Sequence, residues 1–255
     1  MTTDNPRLRT CVLAGGVLAA LVAVTGCGGS ADDKDGPAKR DFSLAGDQLT
    51  ISRNKGDLKV RSADVDKVEV TRWFSGWSAV GGKPKASWEL VDDKLTLSTD
   101  CGGLISNCSA RYEVLVPRRV ALAVEGDNGK TTAAGFEKAL RIRSDNGSVS
   151  VSGTSGDLTL ESGSGAVKAT GVSAGRVKAS TDNGKVDLSF ATAPDEVDVT
   201  TENGGVTVQV PDTTYKVVTK TENGSVKAGV PTDANSPHVI SARTENGAIT
   251  LRTVD

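Results

Sequence analysis

Beyond about residue 120 the chain alternates apolar with polar positions in short blocks, and a recurring dipeptide punctuates them. Asn-Gly preceded by an acidic residue occurs at Asp127-Asn128-Gly129, Asp145-Asn146-Gly147, Asp182-Asn183-Gly184, Glu202-Asn203-Gly204, Glu222-Asn223-Gly224 and Glu245-Asn246-Gly247. A degenerate copy stands at Gly163-Ser164-Gly165; with Ser164 counted as Asn, the steps between successive copies are 18, 18, 19, 20, 20 and 23 residues. Four and six positions before the Asn the side chains are mostly apolar, as in Leu140 and Ile142 or Val197 and Val199. Three and five positions after it they are apolar again, as in Val186 and Leu188 or Ile249 and Leu251. Charged or hydroxyl residues take the alternate places. Such period-two patterning on both sides of a two-residue break predicts a strand on each side. The residue two before Asn and the residue three after it then share a face, so the acid directly before Asn points to solvent, as Asp182 does with Lys185. On this reading Asn and Gly are chosen because they tolerate positive φ at low cost.

The fold class is therefore all-β, and two architectures fit the period. One is a repetitive β-solenoid or β-helix-like array, in which each Asn-Gly marks a corner and successive coils stack in parallel. The other is an antiparallel meander or sandwich, in which each Asn-Gly closes a hairpin. Stacked coils bring neighbouring Asn residues to about 4.8 Å, whereas a meander separates them by roughly twice the strand spacing. From Phe42 to Pro117 the pattern continues less regularly, through strand-like LTIS, DLKV, KVEVTRW, KLTLS and YEVLVP, with Asn54-Lys55-Gly56 as an early turn. The expected division is 42–120 for this irregular part and 121–255 for the regular repeats.

The N-terminus carries a different pattern. Arg7 and Arg9 precede an apolar run from Cys11 to Val24 broken only by Gly15 and Gly16, and the run leads into Val24-Thr25-Gly26-Cys27. These are the basic and apolar regions of an export signal, and the run is short for a transmembrane helix, which needs about 20 apolar residues. The Val24, Thr25, Gly26, Cys27 sequence resembles the lipobox of bacterial lipoproteins. The resemblance implies a diacylglyceryl thioether on Cys27, cleavage on its amino side, and attachment to the extracytoplasmic face of the cell membrane. Residues 1–26 then form the signal peptide and 27–41 the lipidated Cys and a flexible tether, whose Gly, Ser, Asp, Lys and Pro content cannot build a core.

About 215 residues remain, enough for one domain or one continuous array. Without residues 1–26 the chain has 28 basic and 31 acidic side chains, a net charge of −3. The basic residues are scattered, so no nucleic-acid surface is expected. Cys11 leaves with the signal and Cys27 takes lipid, which leaves Cys101 and Cys108 as an even pair in an exported domain. A disulfide across CGGLISNC follows; the rival metal or redox reading lacks CxxC spacing and a nearby histidine.

Tyr112-Glu113-Val114-Leu115-Val116-Pro117, then VALAVEGDNGK, then repeated strand, Asn-Gly, strand units, resemble in their order the bacterial putative adhesin family, domain-of-unknown-function family 4097. The resemblance spans about residues 42 to 255. It implies a β-strand-repeat, solenoid-like domain, often extracytoplasmic, with no established enzymatic activity, and it carries over no catalytic residue.

The sequence carries few groups placed for catalysis. His238 is the single histidine; it follows Pro237 and precedes an apolar strand, which suits a turn residue better than a general base. No Walker or Rossmann fingerprint occurs, and no cofactor or small-molecule substrate is implied. Asp127, Asp145, Asp182, Glu202, Glu222 and Glu245 are candidates for calcium, but GGxGxDxUx is absent and solvated corners account for them. Stacking would let Asn183, Asn203, Asn223 and Asn246 form a side-chain ladder beside Asn128 and Asn146. The aromatic concentration is Trp73, Phe74, Trp77 and Trp88 around SAVGGKPK, which serves either to cover an open end of the core or to contact a ligand. These features point to a non-catalytic lipoprotein that adheres to or scaffolds an envelope protein or cell-wall glycan. An envelope-stress sensor with a membrane partner is the alternative, and a β-helix carbohydrate-active enzyme a more remote one.

Overall fold

The computed structural model describes residues 29–30 and 36–254. The signal segment with Val24, Thr25 and Gly26, and Cys27 itself, lie outside them. Regular structure among these residues is all strand, and no helix among them is long and apolar enough to cross a membrane. The first strands are β1 (Gly29–Ser30), β2 (Ala38–Phe42), β3 (Gln48–Lys55), β4 (Asp57–Ala63), β5 (Val68–Val80), β6 (Lys85–Val91), β7 (Lys94–Asp100) and β8 (Ile105–Pro117). Paired strands follow: β9 (Ala121–Asn128) with β10 (Thr131–Ala134), β11 (Leu140–Asn146) with β12 (Val149–Ser152), and β13 (Leu158–Ser162) with β14 (Val167–Val172). Next come β15 (Arg176–Asn183) with β16 (Val186–Phe190), and β17 (Glu196–Asn203) with β18 (Val206–Val210). The last are β19 (Lys216–Asn223) with β20 (Val226–Gly229), and β21 (Val239–Asn246) with β22 (Ile249–Thr253).

The two strands of each pair lie in different sheets. Sheet I is twelve-stranded and takes the even-numbered member from β8 and β4 through β22, with β5 and β1 beyond β8; sheet II is ten-stranded and takes the odd-numbered member, with β6 at its edge. Each pair is thus one rung of a two-sheet stack, and like strands of neighbouring rungs pair in parallel, as β15 does with β17 and β16 with β18. Antiparallel pairing involves β1, β2, β5 and β6. In a meander the strands flanking each Asn-Gly would pair with each other; here they lie in opposite sheets.

Alternation explains the layers. The apolar positions around each Asn point between the sheets, where Val177, Ala179, Val186 and Leu188 are buried, as are Val197, Val199, Val206 and Val208. Burial of such a side chain contributes about 1.5–3 kcal/mol, repeated rung after rung.

The order of the rungs departs from the order of the chain at both ends. The stack reads β5/β6, β7/β8, β3/β4, β9/β10, then regularly to β17/β18, then β21/β22, and last β19/β20. The C-terminal rung is therefore inserted between two rungs that precede it in sequence. Composition supplies the reason. Ile240, Ala242, Ile249 and Leu251 of β21/β22 are buried, whereas the same positions in β19/β20 hold Val217, Thr219, Val226 and Ala228 and are half-buried or exposed. Placing the more apolar rung inside and the more polar one at the open end buries the larger apolar area. The crossing is made by 211–215, held by buried Tyr215, whose hydroxyl donates to the Pro211 carbonyl at 3.0 Å. Burial, and then Asp212, push the Tyr215 phenol upward from its ordinary pKa.

Ahead of Phe42, Ala38, Lys39, Arg40 and Asp41 pair with β5.

Candidate binding surfaces

Where the chain passes from sheet II to sheet I, Asn and Gly do more than turn. Asn183 registers with Asn203, Asn203 with Asn246, and Asn223 with Asn246. Their amides form a ladder, Nδ2 to Oδ1, from Asn203 to Asn183 at 3.1 Å, Asn246 to Asn203 at 3.0 Å and Asn223 to Asn246 at 2.9 Å. Asn146 registers with Asn128 in the same way. The glycines need a different explanation from positive φ. Among the repeat glycines after Asn or Ser164, only Gly129 has one, at 113°, and none of the Asn residues does. Instead the backbones approach closely: a Cβ on Gly147, Gly165, Gly184, Gly204, Gly224 or Gly247 would overlap the carbonyl oxygen of the glycine in the next rung. Glycine is there because the rungs stack backbone on backbone.

Each of these carbonyls has a partner that the sequence reading did not identify. Two residues before the Asn, an inward hydroxyl donates to the neighbouring glycine carbonyl: Ser162 to Gly147 at 3.0 Å, Thr181 to Gly165 at 2.9 Å, Thr201 to Gly184 at 3.2 Å, Thr244 to Gly204 at 3.0 Å and Thr221 to Gly247 at 3.0 Å. The signal was visible as Ser or Thr at one fixed offset. In β3 this position is Arg53, which is 2 % exposed. Its guanidinium donates to the carbonyls of Gly56, Gly129 and Lys130. Burial draws its pKa below the ordinary arginine value, and Asp57 and Asp127 act in the opposite direction. A Cβ on Gly126, its register partner, would press on the guanidinium and force it to shift.

The two outer faces differ chemically. On sheet I the middle rungs present mostly hydroxyls and small polar groups, such as Ser150, Thr170, Ser189, Thr207 and Thr250. On sheet II they present charge, tied across rungs by Arg141 to Glu161 at 2.9 Å, Arg143 to Glu161 at 3.7 Å, Arg176 to Asp157 at 2.6 Å and Arg243 to Asp198 at 3.5 Å. The hydrogen bond to Asp157, and then its charge, raise the Arg176 pKa. Two shallow depressions lie on this face. One, of about 270 Å3, is lined by Asp157, Thr159, Arg176, Lys178, Glu196 and Asp198. The other, of about 300 Å3, is lined by Arg143, Asp145, Glu161, Ser180 and Asp182 among others.

The four aromatic residues divide between two roles. Phe74 is buried and Trp88 packs against the core, with the Arg72 guanidinium 4.5 Å from its ring; both belong to the cover of the N-terminal end. Trp73 and Trp77 lie on the opposite, outer face of β5. Trp73 carries the Arg111 guanidinium 4.1 Å above its ring, beside an open depression of about 460 Å3 that also includes Asp57, Ser75 and Ser109. Trp77 is half exposed.

Cys101 and Cys108 form a disulfide, Cα to Cα 5.2 Å, which closes the loop between β7 and β8. His238 Nδ1 donates to the Pro194 carbonyl at 2.8 Å, and its backbone N–H donates to Ser236 Oγ, which itself donates to the Thr214 carbonyl. The histidine and serine are thus bonded into the backbone of the crossing loops. The acids preceding each Asn are exposed along one edge of the stack. No group of three or more His, Cys, Asp or Glu among the described residues is placed to hold a metal ion.

Residues 41–252 match the family model described as Toastrack DUF4097. Solved structures with a similar chain path include a putative adhesin from Parabacteroides distasonis, at 12% identity and a TM-score of 0.48 over 88% of this chain and 98% of that one. Another is a putative adhesin from Bacteroides fragilis, at 13% identity and a TM-score of 0.38 over 86% and 98%. A third is a putative cell adhesion protein from Clostridium sporogenes, at 13% identity and a TM-score of 0.35 over 86% and 100%. No curated protein matches the chain.

Proposed function

The chain belongs to the Toastrack DUF4097 family, and on that premise we propose that it is a non-catalytic binding module, anchored through lipid on Cys27 to the extracytoplasmic face of the cell membrane. The observation that carries the reading is the outer face of sheet II, where parallel register stacks basic, acidic and hydroxyl side chains in columns across consecutive rungs, and ion pairs tie neighbouring rungs together. A face of this kind suits an extended, charged envelope component more than a small substrate, because its depressions are shallow and its groups are already paired laterally. The Asn-Gly steps serve as the corners that hold this face in register. The bonded environment of His238 and the pairing of Cys101 with Cys108 support a role without catalysis.

The test is binding of the full-length lipoprotein in vesicles to isolated envelope fractions, with reversal of Arg143 and Lys178 to Glu. The expected result is saturable, salt-sensitive binding weakened at least tenfold by the double substitution. Binding that is neither saturable nor altered by it would reject the charged face as the binding surface. In-cell crosslinking from Lys178 that captures one membrane protein and no wall component would shift the reading to a regulator acting through that partner. Replacing Cys27 with Ser is expected to release the protein from the membrane fraction or leave it unprocessed.

A further inference from the structure

The antiparallel β5/β8 ribbon extends beyond β4, its neighbour in sheet I. β4 joins β8 only from Arg111 onward, so residues 105–110 pair with β5 alone. Six residues at strand rise make a finger of about 20 Å. Its end is apolar: Leu104 is 91 % exposed, Ile105 56 %, Val80 51 % and Trp77 49 %. Soluble surfaces seldom gather such residues without something to cover them.

The finger is braced, so this display is a fixed feature of its fold. The Cys101–Cys108 disulfide joins the returning loop to the middle of the finger, where Cys108 lies opposite Gly76. The Leu104 N–H donates to the Val80 carbonyl at 2.8 Å, and the Gly102 N–H donates to Asp100 Oδ1 at 2.9 Å. Gly81 and Gly103 lie so close that a Cβ on Gly81 would overlap the Gly103 Cα. The same loops cover the opposite side of the finger, where Cys108 and Ser78 are buried. Lys83 and Lys85 are exposed next to the tip.

The path of the N-terminal chain indicates what covers the tip. β2 runs antiparallel to β5, with Ala38 opposite Arg72, so the chain preceding Ala38 heads toward the tip. β1 continues that course, with Ser30 opposite Trp77 and Gly29 opposite Ser78. Cys27 is two residues upstream of Gly29, a reach of at most about 7 Å. A lipid on Cys27 would therefore enter the bilayer beside Trp77, Val80, Leu104 and Ile105.

We propose that the tip of the β5/β8 finger inserts into the interfacial layer of the same membrane that holds the lipid anchor. Trp77, with an apolar ring and a polar N–H, is suited to the headgroup boundary. Leu104 and Ile105 reach the acyl chains, and Lys83 meets headgroup phosphates. A second membrane contact fixes the orientation of the stack, which a single point of attachment at Cys27 leaves free to pivot. The inference rests on the anchored reading above, and its test separates the two.

The full-length lipoprotein is reconstituted in phosphatidylcholine vesicles with brominated acyl chains, and tryptophan emission is compared with that in unbrominated vesicles. Mass spectrometry of the N-terminal peptide reports separately whether Cys27 carries lipid. The expected result is quenching of emission that W77F abolishes and L104S reduces at least twofold; Leu104 is so exposed that its replacement spares the fold. Lipid on Cys27 with no bromine quenching overturns the insertion and leaves the anchor standing. Quenching that depends on Trp77 without lipid on Cys27 supports the insertion and removes the anchor. Emission insensitive to bromine together with a doubled mass in sedimentation overturns it in favour of a second copy of the chain as the cover.

Discussion

At its N-terminal end the stack finishes on large side chains, and at its C-terminal end on small ones. The first rung, β5/β6, runs against the others, buries Phe74, and lays the Arg72 guanidinium on Trp88 while Arg72 also donates to the Ala86 carbonyl at 2.7 Å. The last rung, β19/β20, keeps the common sequence pattern and parallel register, but holds Val226 and Ala228 where β22 holds Ile249 and Leu251, and the hydroxyl of Thr219 where β21 holds Ala242. Both solutions meet the same physical demand, since a repeat array must not end on an exposed apolar layer. One covers the layer with a specialised antiparallel element. The other tapers the repeat until little apolar surface remains. At both ends the chain also lays down the outermost rung before the one inside it, β5/β6 before β7/β8 and β19/β20 before β21/β22. The specialised end is the one that can carry additional features, and it is where the disulfide and the projecting finger occur.

The largest test of this contrast compares inward-facing positions in the two C-terminal rungs. Leu251 registers with Ala228, two residues beyond Val226; Leu251 is 1 % exposed and Val226 42 %. Leu251→Ala is expected to cost about 2–5 kcal/mol, as for a buried leucine, while Val226→Ala stays within about 1 kcal/mol. Urea unfolding of each variant reads the difference. If the rungs stacked in chain order the costs would converge, because β19/β20 would then be interior and β21/β22 exposed.

A smaller effect tests whether backbone contact sets the glycines. Gly204→Ala places a Cβ against the Gly184 carbonyl, whereas Gly205→Ala meets only the Ala248 carbonyl at 3.5 Å, an ordinary contact. The first is expected to cost about 1–3 kcal/mol by overpacking, and the second about 0.5 kcal/mol or less. Equal thermal stability of the two variants would return the explanation to turn conformation. This pair also marks what could be read from sequence. The strand period, the inward faces and the Asn column follow from residue spacing, because alternation is a local property. Glycine's role depends on the distance to the next rung, and the exchange of the last two rungs depends on which of two similar sequences buries more. Neither is local, although Ile249 and Leu251 set against Val226 and Ala228 already held the clue. The aromatic group was legible as a concentration in sequence. Its division into Phe74 and Trp88 inward and Trp73 and Trp77 outward required the phase of β5 and the position of β6. Arg53 was hidden for the same reason, since an arginine in a strand reads as surface until the stacked glycine carbonyls around it are known.

The smallest expected effect discriminates best between chain order and stack order. Asn203 contributes to two amide bonds, with Asn183 and with Asn246, while Asn223 contributes to one, with Asn246. Each is exposed, so Asn203→Ala is expected to cost about 1 kcal/mol and Asn223→Ala about half as much. The informative quantity is coupling. Asn203 and Asn246 share a bond although 43 residues separate them, whereas Asn203 and Asn223 are nearer in sequence but have Asn246 between them. A double-mutant cycle on Asn203 and Asn246 should therefore show a coupling of about 0.5 kcal/mol or more, and one on Asn203 and Asn223 a value close to zero. Coupling found only in the second cycle would mean that the rungs follow the chain, and the tapered end would then have to be sought in β21/β22.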